Sequence, residues 1–287
     1  MDSATYWAER AAMQQQLMGD KALEDVERRL AAYYSQAIKD IQRDMGDLYD
    51  KLIAASPDGN PRPNDLYNFN RYYELQAQIN GHLRRLGYAE IALQNKAFTR
   101  LYEQIREYTD GIIPDTVRKP VFTVFSENRA QQIIRNAWTT DGIVWSDRIW
   151  RNKAGLQNLI ERGLVDSVVR GEPKDAAVKR LREAFNVGYY EADRIARTEL
   201  CRIQNEGAAD SFTAAGIEKY RVSIAKDSRV CQKCRALKGK EFLLSERRTG
   251  VNYPPIHPNC RDRAIAVVDV PDYDPPGLEV SVKSISF

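Results

Sequence analysis

Apolar residues recur every three or four positions through the first hundred residues of the chain. Between Lys21 and Ile53 they form one stripe: Leu23, Val26, Leu30, Tyr33, Ala37, Ile41, Met45, Leu48 and Leu52. A second stripe runs from Leu66 to Ile105, after a segment that contains three prolines. Such spacing places the apolar side chains along one face of an α-helix. The pattern predicts an antiparallel helical hairpin that a short helix precedes. Gly81 and Gly87 mark predicted bends in its second helix. We interpret the stripes as the core of a helical bundle, and an oligomeric coiled coil is the alternative.

The second half of the chain changes from a helical period to an alternating one. Helices are predicted over residues 127–138, 153–170, 173–185 and 188–215, the last of them ending at Gly216. Alternation then predicts short strands near 220–225, 240–243 and 263–268. The fold class is therefore α+β, with long N-terminal helices, a helical layer and a small antiparallel sheet. We predict three segments: a helical docking region over 1–125, an α+β domain over 126–268 and an extended tail over 269–287.

Composition argues against a secreted or membrane-spanning protein, and the distribution of charge differs between the two halves of the chain. Apolar residues make up 43% and charged residues 29% of the chain, as in a globular protein. The N-terminus carries charges where a signal peptide needs an apolar core, and no window is apolar enough to span a membrane, so we expect a cytoplasmic protein. Residues 1–125 hold 16 Lys and Arg against 18 Asp and Glu, whereas residues 147–263 hold 24 against 16, a net charge of 24 − 16 = +8. The second half is thus suited to meeting a polyanion.

Cysteine and histidine form two matching pairs near the C-terminus. Cys231 and Cys234 are separated by two residues, as are His257 and Cys260, and 22 residues lie between the pairs. This is the spacing of a tetrahedral zinc site, in which each pair supplies one edge. Four nitrogen and sulfur ligands leave no open position for water or substrate, so we predict structural zinc and no catalytic residue. Chance clustering of buried cysteines is the alternative, and we expect Cys201 to be a small buried residue away from the pairs.

Two further groups of polar residues attract attention. The helix predicted over 188–215 carries three polar residues that we expect to form a buried polar network: Arg197, Glu199 and Asn205. The alternatives are a row of phosphate contacts and a solvated, salt-bridged helix face. A basic run passes through the predicted zinc site, and its members are candidates for sequence-independent contact with the DNA backbone. They are Lys226, Arg229, Lys233, Arg235, Lys238 and Lys240.

An ordered series of motifs resembles the phage Mu protein F-like minor head proteins, also called head-morphogenesis proteins. The resemblance covers about residues 150–268 and rests on four segments. These are Ala196-Arg-Thr-Glu199 with Asn205, Asp227-Ser-Arg-Val-Cys-Gln-Lys-Cys234, Leu237-Lys-Gly-Lys-Glu-Phe242 and Pro254-Pro-Ile-His-Pro-Asn-Cys-Arg261. The family often ends its last motif in Cys-Arg-Cys, whereas this chain has Asp262 in place of the final cysteine. The departure leaves all four predicted ligands in place.

The resemblance implies a non-enzymatic minor capsid protein of a tailed bacteriophage. Such a protein is present in few copies, associates with the portal protein and the major capsid protein during head assembly, and in some relatives binds double-stranded DNA. Its expected location is the virion, at the capsid interior or the portal vertex, and the host cytoplasm during assembly. Two other hypotheses stay open: a nuclease or toxin-type effector domain, and a free DNA-binding zinc protein.

Overall fold

Three long helices dominate the computed structural model of the protein, which describes residues 3–56, 70–119, 121, 128–225 and 230–268. Helix α1 covers Ser3–Ala55, α2 covers Arg71–Ile112 and α5 covers Lys174–Ala214. Two shorter helices, α3 at Arg129–Arg135 and α4 at Trp145–Val169, lie between α2 and α5 in the chain. A single-turn helix, α6, covers Gln232–Arg235.

Three short strands follow α5 and form one antiparallel sheet. The strands are β1 at Lys219–Ser223, β2 at Glu241–Leu243 and β3 at Arg263–Val267, in the order β2-β1-β3. Both neighbours pair antiparallel with β1, which places Tyr220 opposite Phe242 on one side and Ala266 on the other. A 3₁₀ turn at Leu244–Glu246 follows β2. The α+β fold class predicted from the sequence, with long N-terminal helices and a small antiparallel sheet, is confirmed.

The contacts divide the chain into two compact units that interleave along the sequence. Of the described residues, those within 1–26, 94–144 and 196–268 form the sheet unit, and those within 27–93 and 145–195 form the helical unit. The predicted segment boundaries near 125 and 268, and the tail over 269–287, border or lie on residues outside the described ones. The division into three segments therefore stays a prediction.

Each unit has its own apolar core. Most stripe positions of α1 and α2 in the helical unit are buried, as the periodicity predicts, among them Leu30, Ile41, Leu52, Ile79 and Leu83. Two of the described ones are not: Tyr33 is half-buried, and Tyr73, near the start of α2, is 60% exposed. In the sheet unit the largest fully buried side chains are Phe98, Leu101, Ile105, Tyr220 and Tyr253. The Tyr220 ring stacks on Phe242 and meets Tyr253 edge to face. These ring contacts join the sheet to the loop between β2 and β3.

Glycines that suggested breaks or bends lie inside continuous helices. The separate helices predicted over 173–185 and 188–215 are one helix, α5, and the short leading helix is part of α1. A Cβ atom on Gly188 would come within 2.9 Å of the Leu156 side chain, and one on Gly87 within 2.6 Å of the Trp150 ring. These glycines therefore leave room for the side chain of a neighbouring helix. They do not break the helices, because a single glycine costs a long helix only about 1 kcal/mol.

Candidate metal centre

The first ligand pair is arranged by the single turn of α6. Cys231 is the N-cap of this helix, and its Sγ atom accepts a hydrogen bond from the Cys234 amide at 3.4 Å. The Arg235 amide donates to the Cys231 carbonyl at 3.1 Å and closes the turn. A Cys-x-x-Cys segment in one helical turn brings both sulfur atoms to the same side, as a metal site requires.

The second pair lies in a tight turn that helix α5 holds in place. The Cys260 amide donates to the His257 carbonyl at 3.1 Å, and Asn259 adopts a left-handed backbone conformation with φ of 61°. The Asn259 amide donates to the Thr198 Oγ1 atom of α5 at 3.1 Å. Both turns and residues 196–214 of α5 belong to the sheet unit.

The orientation of His257 suits metal binding. Its Nδ1 atom lies 2.7 Å from the Pro258 carbonyl oxygen, and its Nε2 atom lies 3.3 Å from the Cys234 Sγ atom. A carbonyl can only accept, so Nδ1 carries the proton and donates it, which leaves the Nε2 lone pair facing the sulfur. Metal-binding histidines are commonly fixed in this way by a hydrogen bond from the other ring nitrogen.

The ligand atoms form two overlapping groups that share Cys234. The first contains Cys231, Cys234 and His257, and the second contains Cys234, Cys260 and Asp262. Within each group, all ligand atoms lie within 4.8 Å of one another. The four predicted ligands thus come together as a cluster with the chemistry to hold a metal ion. Asp262, which the sequence prediction did not include, is a fifth donor.

The three thiols have different proton affinities. The Cys234 amide lowers the pKa of Cys231. The neighbouring Cys201 thiol lowers the pKa of Cys260 to about 6 despite its burial. Burial, with a hydrogen bond to Asp262, raises the pKa of Cys234. Because metals bind the thiolate, the lowered pKa values of Cys231 and Cys260 make metal binding easier, and the raised pKa of Cys234 makes it harder.

The imidazole also responds to this surrounding. Burial lowers the pKa of His257, but the Pro258 carbonyl and the thiols of Cys260 and Cys231 outweigh that effect, so the pKa lies above its ordinary value. The ring therefore sits in a negative environment. A bound cation would replace the proton as the positive charge there.

The expectation for Cys201 is correct on burial and wrong on position. Cys201 lies on α5, yet it packs in one buried cluster with Cys234 and Cys260. Its thiol donates to the Asp262 carbonyl at 3.5 Å. The contact joins residues 61 positions apart, so no local spacing in the sequence indicates it.

The predicted polar network appears as two separate sets of contacts. The buried Glu199 pairs with Arg202 at 2.7 Å and accepts a hydrogen bond from the Trp138 indole at 2.7 Å. Arg202 also donates to the Ile133 carbonyl at 2.9 Å. Arg197 is half-buried.

Asn205 forms the second set and joins α5 to β3. Its side-chain amide donates to the Cys201 carbonyl at 2.7 Å and to the Asp262 carbonyl at 3.2 Å. Its Oδ1 atom accepts from the Ala264 amide at 2.7 Å. Since Asp262 and Ala264 flank the start of β3, this one side chain positions the strand that follows the last cysteine.

The basic residues near the cluster lie at the surface. Lys233, Arg235, Lys238 and Lys240 are all exposed, on α6 and the turn that follows it. The other two candidates, Lys226 and Arg229, lie outside the described residues. Four of the six predicted positions are thus accessible to a polyanion.

A family model described as "Phage Mu protein F like protein" matches residues 158–265. Over these residues the chain is similar to the Phage Mu protein F-like family. The match covers more than a third of the chain, begins within α4, ends within β3 and includes every residue of the cluster. It confirms the resemblance seen in the sequence motifs. No curated protein and no solved structure gave a significant match.

No membrane span was found in the described parts of the chain: none of the helices there is both long and apolar enough to cross a bilayer.

Proposed function

We propose that the protein is a minor capsid protein of a tailed bacteriophage that acts in head morphogenesis. The observation that carries the proposal is the family match over residues 158–265, whose range includes the whole Cys/His cluster. The family points to a phage head-morphogenesis protein. In this proposal the protein joins the portal protein and the major capsid protein during assembly in the host cytoplasm, and it stays in the virion.

The N-terminal helices are the proposed docking region. Residues 1–125 carry nearly balanced charge, 16 basic against 18 acidic residues, and their described part consists mainly of α1 and α2. Long helices with balanced charge suit protein contact better than contact with nucleic acid. We assign the portal or the inner capsid wall to this region as its partner.

The cluster is the proposed site of structural zinc. Cys231, Cys234, His257 and Cys260 offer three sulfurs and one nitrogen, the donors that zinc prefers in closed tetrahedral sites. The Pro258 carbonyl already fixes the tautomer that binding through Nε2 needs. A zinc site of this kind supplies on the order of 10 kcal/mol of binding energy that is also folding energy. A closed ligand shell supports a structural and non-enzymatic role.

The exposed basic residues are the proposed contact with packaged double-stranded DNA. The positive charge of residues 147–263, +8, and the exposure of Lys238 and Lys240 support binding to the phosphate backbone. Changing both lysines to glutamine should lower the slope of log affinity against log salt by about 2. Lys179→Gln/Arg182→Gln, which removes two exposed charges from α5, is the matched control and should leave the slope nearly unchanged.

Co-purification tests the main proposal. The tagged full-length chain is expressed with the portal and major capsid proteins of the phage that encodes it, and zinc is quantified in the same sample. Association with either head protein at stoichiometric zinc supports the proposal. Zinc without a head partner would favour a free DNA-binding protein, and metal-dependent cleavage of DNA would favour an effector enzyme.

A further inference from the structure

One face of helix α5 holds the segment that carries and follows the second ligand pair. Thr198, Cys201 and Asn205 succeed one another at steps of three and four, so their side chains share this face. All three are buried, and all three form hydrogen bonds to backbone groups of residues 259–264. The helix and the ligand-bearing segment are therefore joined by side chains of α5 and backbone groups of the segment.

The Thr198 contact lies inside the ligand pair itself. Its Oγ1 atom accepts a hydrogen bond from the amide of Asn259, the residue directly before Cys260, at 3.1 Å. The Cys260 amide in turn donates to the His257 carbonyl at 3.1 Å and closes the turn. The contacts of Cys201 and Asn205 lie beyond Cys260, at the start of β3. Thr198 thus acts on the spacing between the two ligands.

The turn needs such support because of its backbone conformation. Asn259 has a φ of 61°, in the left-handed region that residues with a side chain seldom adopt. Asparagine tolerates this region better than most residues but still prefers negative φ. The hydrogen bond from its amide to Thr198 offsets this preference, and it joins protein groups alone. It therefore orders the turn without help from a metal.

We propose that Thr198 is a positioning residue for the metal centre: it holds the His257–Cys260 turn ready for the ion and thereby raises the zinc affinity. The inference rests on the proposed metal centre. Without the hydroxyl, binding must also order the turn, and the affinity falls by that amount. Outer-shell contacts contribute about 10–100-fold in metal affinity. Because Thr198 bonds to the turn and not to a ligand side chain, we expect the lower end of this range.

The test compares two substitutions of Thr198 in the full-length chain, with zinc affinity measured in competition with a chelator. Thr198→Val keeps the branched shape and a similar helix propensity but lacks the hydroxyl, and it should weaken the affinity about tenfold. Thr198→Ser keeps the hydroxyl and should bind zinc nearly as well as the unmodified chain. Thr213→Val is the matched control, since the Thr213 hydroxyl donates to the Ala209 carbonyl of the same helix. An affinity of Thr198→Val equal to that of the control would overturn the proposal.

Hydrogen exchange at the Cys260 amide separates positioning from a general loss of stability, because this amide closes the turn. In the metal-free chain, Thr198→Val should speed its exchange about tenfold. The Ala264 amide, which Asn205 holds, should exchange at an unchanged rate. With zinc bound, the metal holds both ligands of the turn, so the variant and the unmodified chain should exchange alike at Cys260. Equal acceleration of both amides, with and without zinc, would show a general structural role and overturn the proposal.

Substitutions of Asn259 test the same turn if Thr198→Val does not fold. The Asn259 side chain is exposed, so changing it leaves the core intact. Asn259→Ala should weaken the zinc affinity about fivefold or more, because alanine disfavours the left-handed conformation. Asn259→Gly, which adopts this conformation readily, should not weaken it to that extent. Equal affinities of the two variants would overturn the role of an ordered turn, whereas failure of the unmodified chain to bind zinc would refute the metal centre.

Discussion

Asn205→Ala should loosen strand β3 from helix α5, and the structure gives the size of the effect. The side chain is 1% exposed and makes three hydrogen bonds to backbone groups. Alanine removes all three and leaves the Ala264 amide without its acceptor. The Asp262 carbonyl keeps the Cys201 thiol as a donor, so only the amide is left unpaired by the change.

The three losses differ in size. An unpaired buried amide costs about 1–3 kcal/mol, and each of the two other bonds contributes about 0.5–1.5 kcal/mol net. Alanine returns about 0.5 kcal/mol through its higher helix propensity. The free energy of opening at β3 should therefore fall by about 2–5 kcal/mol.

Hydrogen exchange measures this opening directly at the Ala264 amide, which is more informative than global unfolding in a chain with two units. Asn186→Ala is the matched control, since Asn186 is an exposed asparagine on the same helix. It should change protection by no more than about 0.5 kcal/mol. A loss below about 1 kcal/mol for Asn205→Ala would refute the claim that this side chain holds the strand.

Three further predictions concern other parts of the structure. Lys153→Met leaves Glu90 buried without its ion pair and should cost about 3–5 kcal/mol, which Glu90→Leu in the same chain should largely restore. Burial already raises the pKa of Glu90, so folding disfavours its charged form. The loss of stability caused by Lys153→Met should therefore grow as the pH rises from 5 to 8. Urea unfolding measures this loss, and a loss that becomes smaller over this range would contradict the predicted sign. Gly87→Ala should destabilise by about 1–3 kcal/mol because an indole ring fills the space, whereas Gly155→Ala, with nothing within 4 Å, should stabilise by about 0.5–1 kcal/mol, and thermal unfolding of the pair distinguishes packing from propensity. Cys234→Ser should abolish zinc binding measured by elemental analysis, since Cys234 belongs to both ligand groups, and zinc retained near one equivalent would argue against the site.

Local pattern was sufficient to predict most of the elements and the ligand pairs. The period of three to four along α1 and α2 reflects burial of one helix face, and most predicted stripe positions are buried. The exceptions include Tyr33 and Tyr73, whereas the neighbouring Tyr34 and Leu75 are buried instead. Alternation located all three strands within a few residues. The pairs at 231–234 and 257–260 were found because both ligands of each pair lie within one turn.

Contacts between distant segments were beyond local pattern. Cys201 and Asp262 are 61 residues apart in the chain, and the Cys201 thiol meets the Asp262 backbone carbonyl where Asn205 joins α5 to the start of β3. The Trp138 partner of Glu199 is also 61 residues away, although Arg202 lies three positions along the same helix and was open to prediction. The predicted interruption between residues 185 and 188 was wrong: α5 is continuous there, and Gly188 packs against the Leu156 side chain of another helix.

Mass spectrometry of purified heads tests the central claim most directly. Proheads and mature virions of the phage that encodes this chain are purified through a density gradient, and its peptides are quantified against those of the portal and major capsid proteins. We predict that the chain is present in both particles, in few copies relative to the major capsid protein. Its absence from both, at a detection limit that registers the portal protein, would contradict a role as a minor head protein.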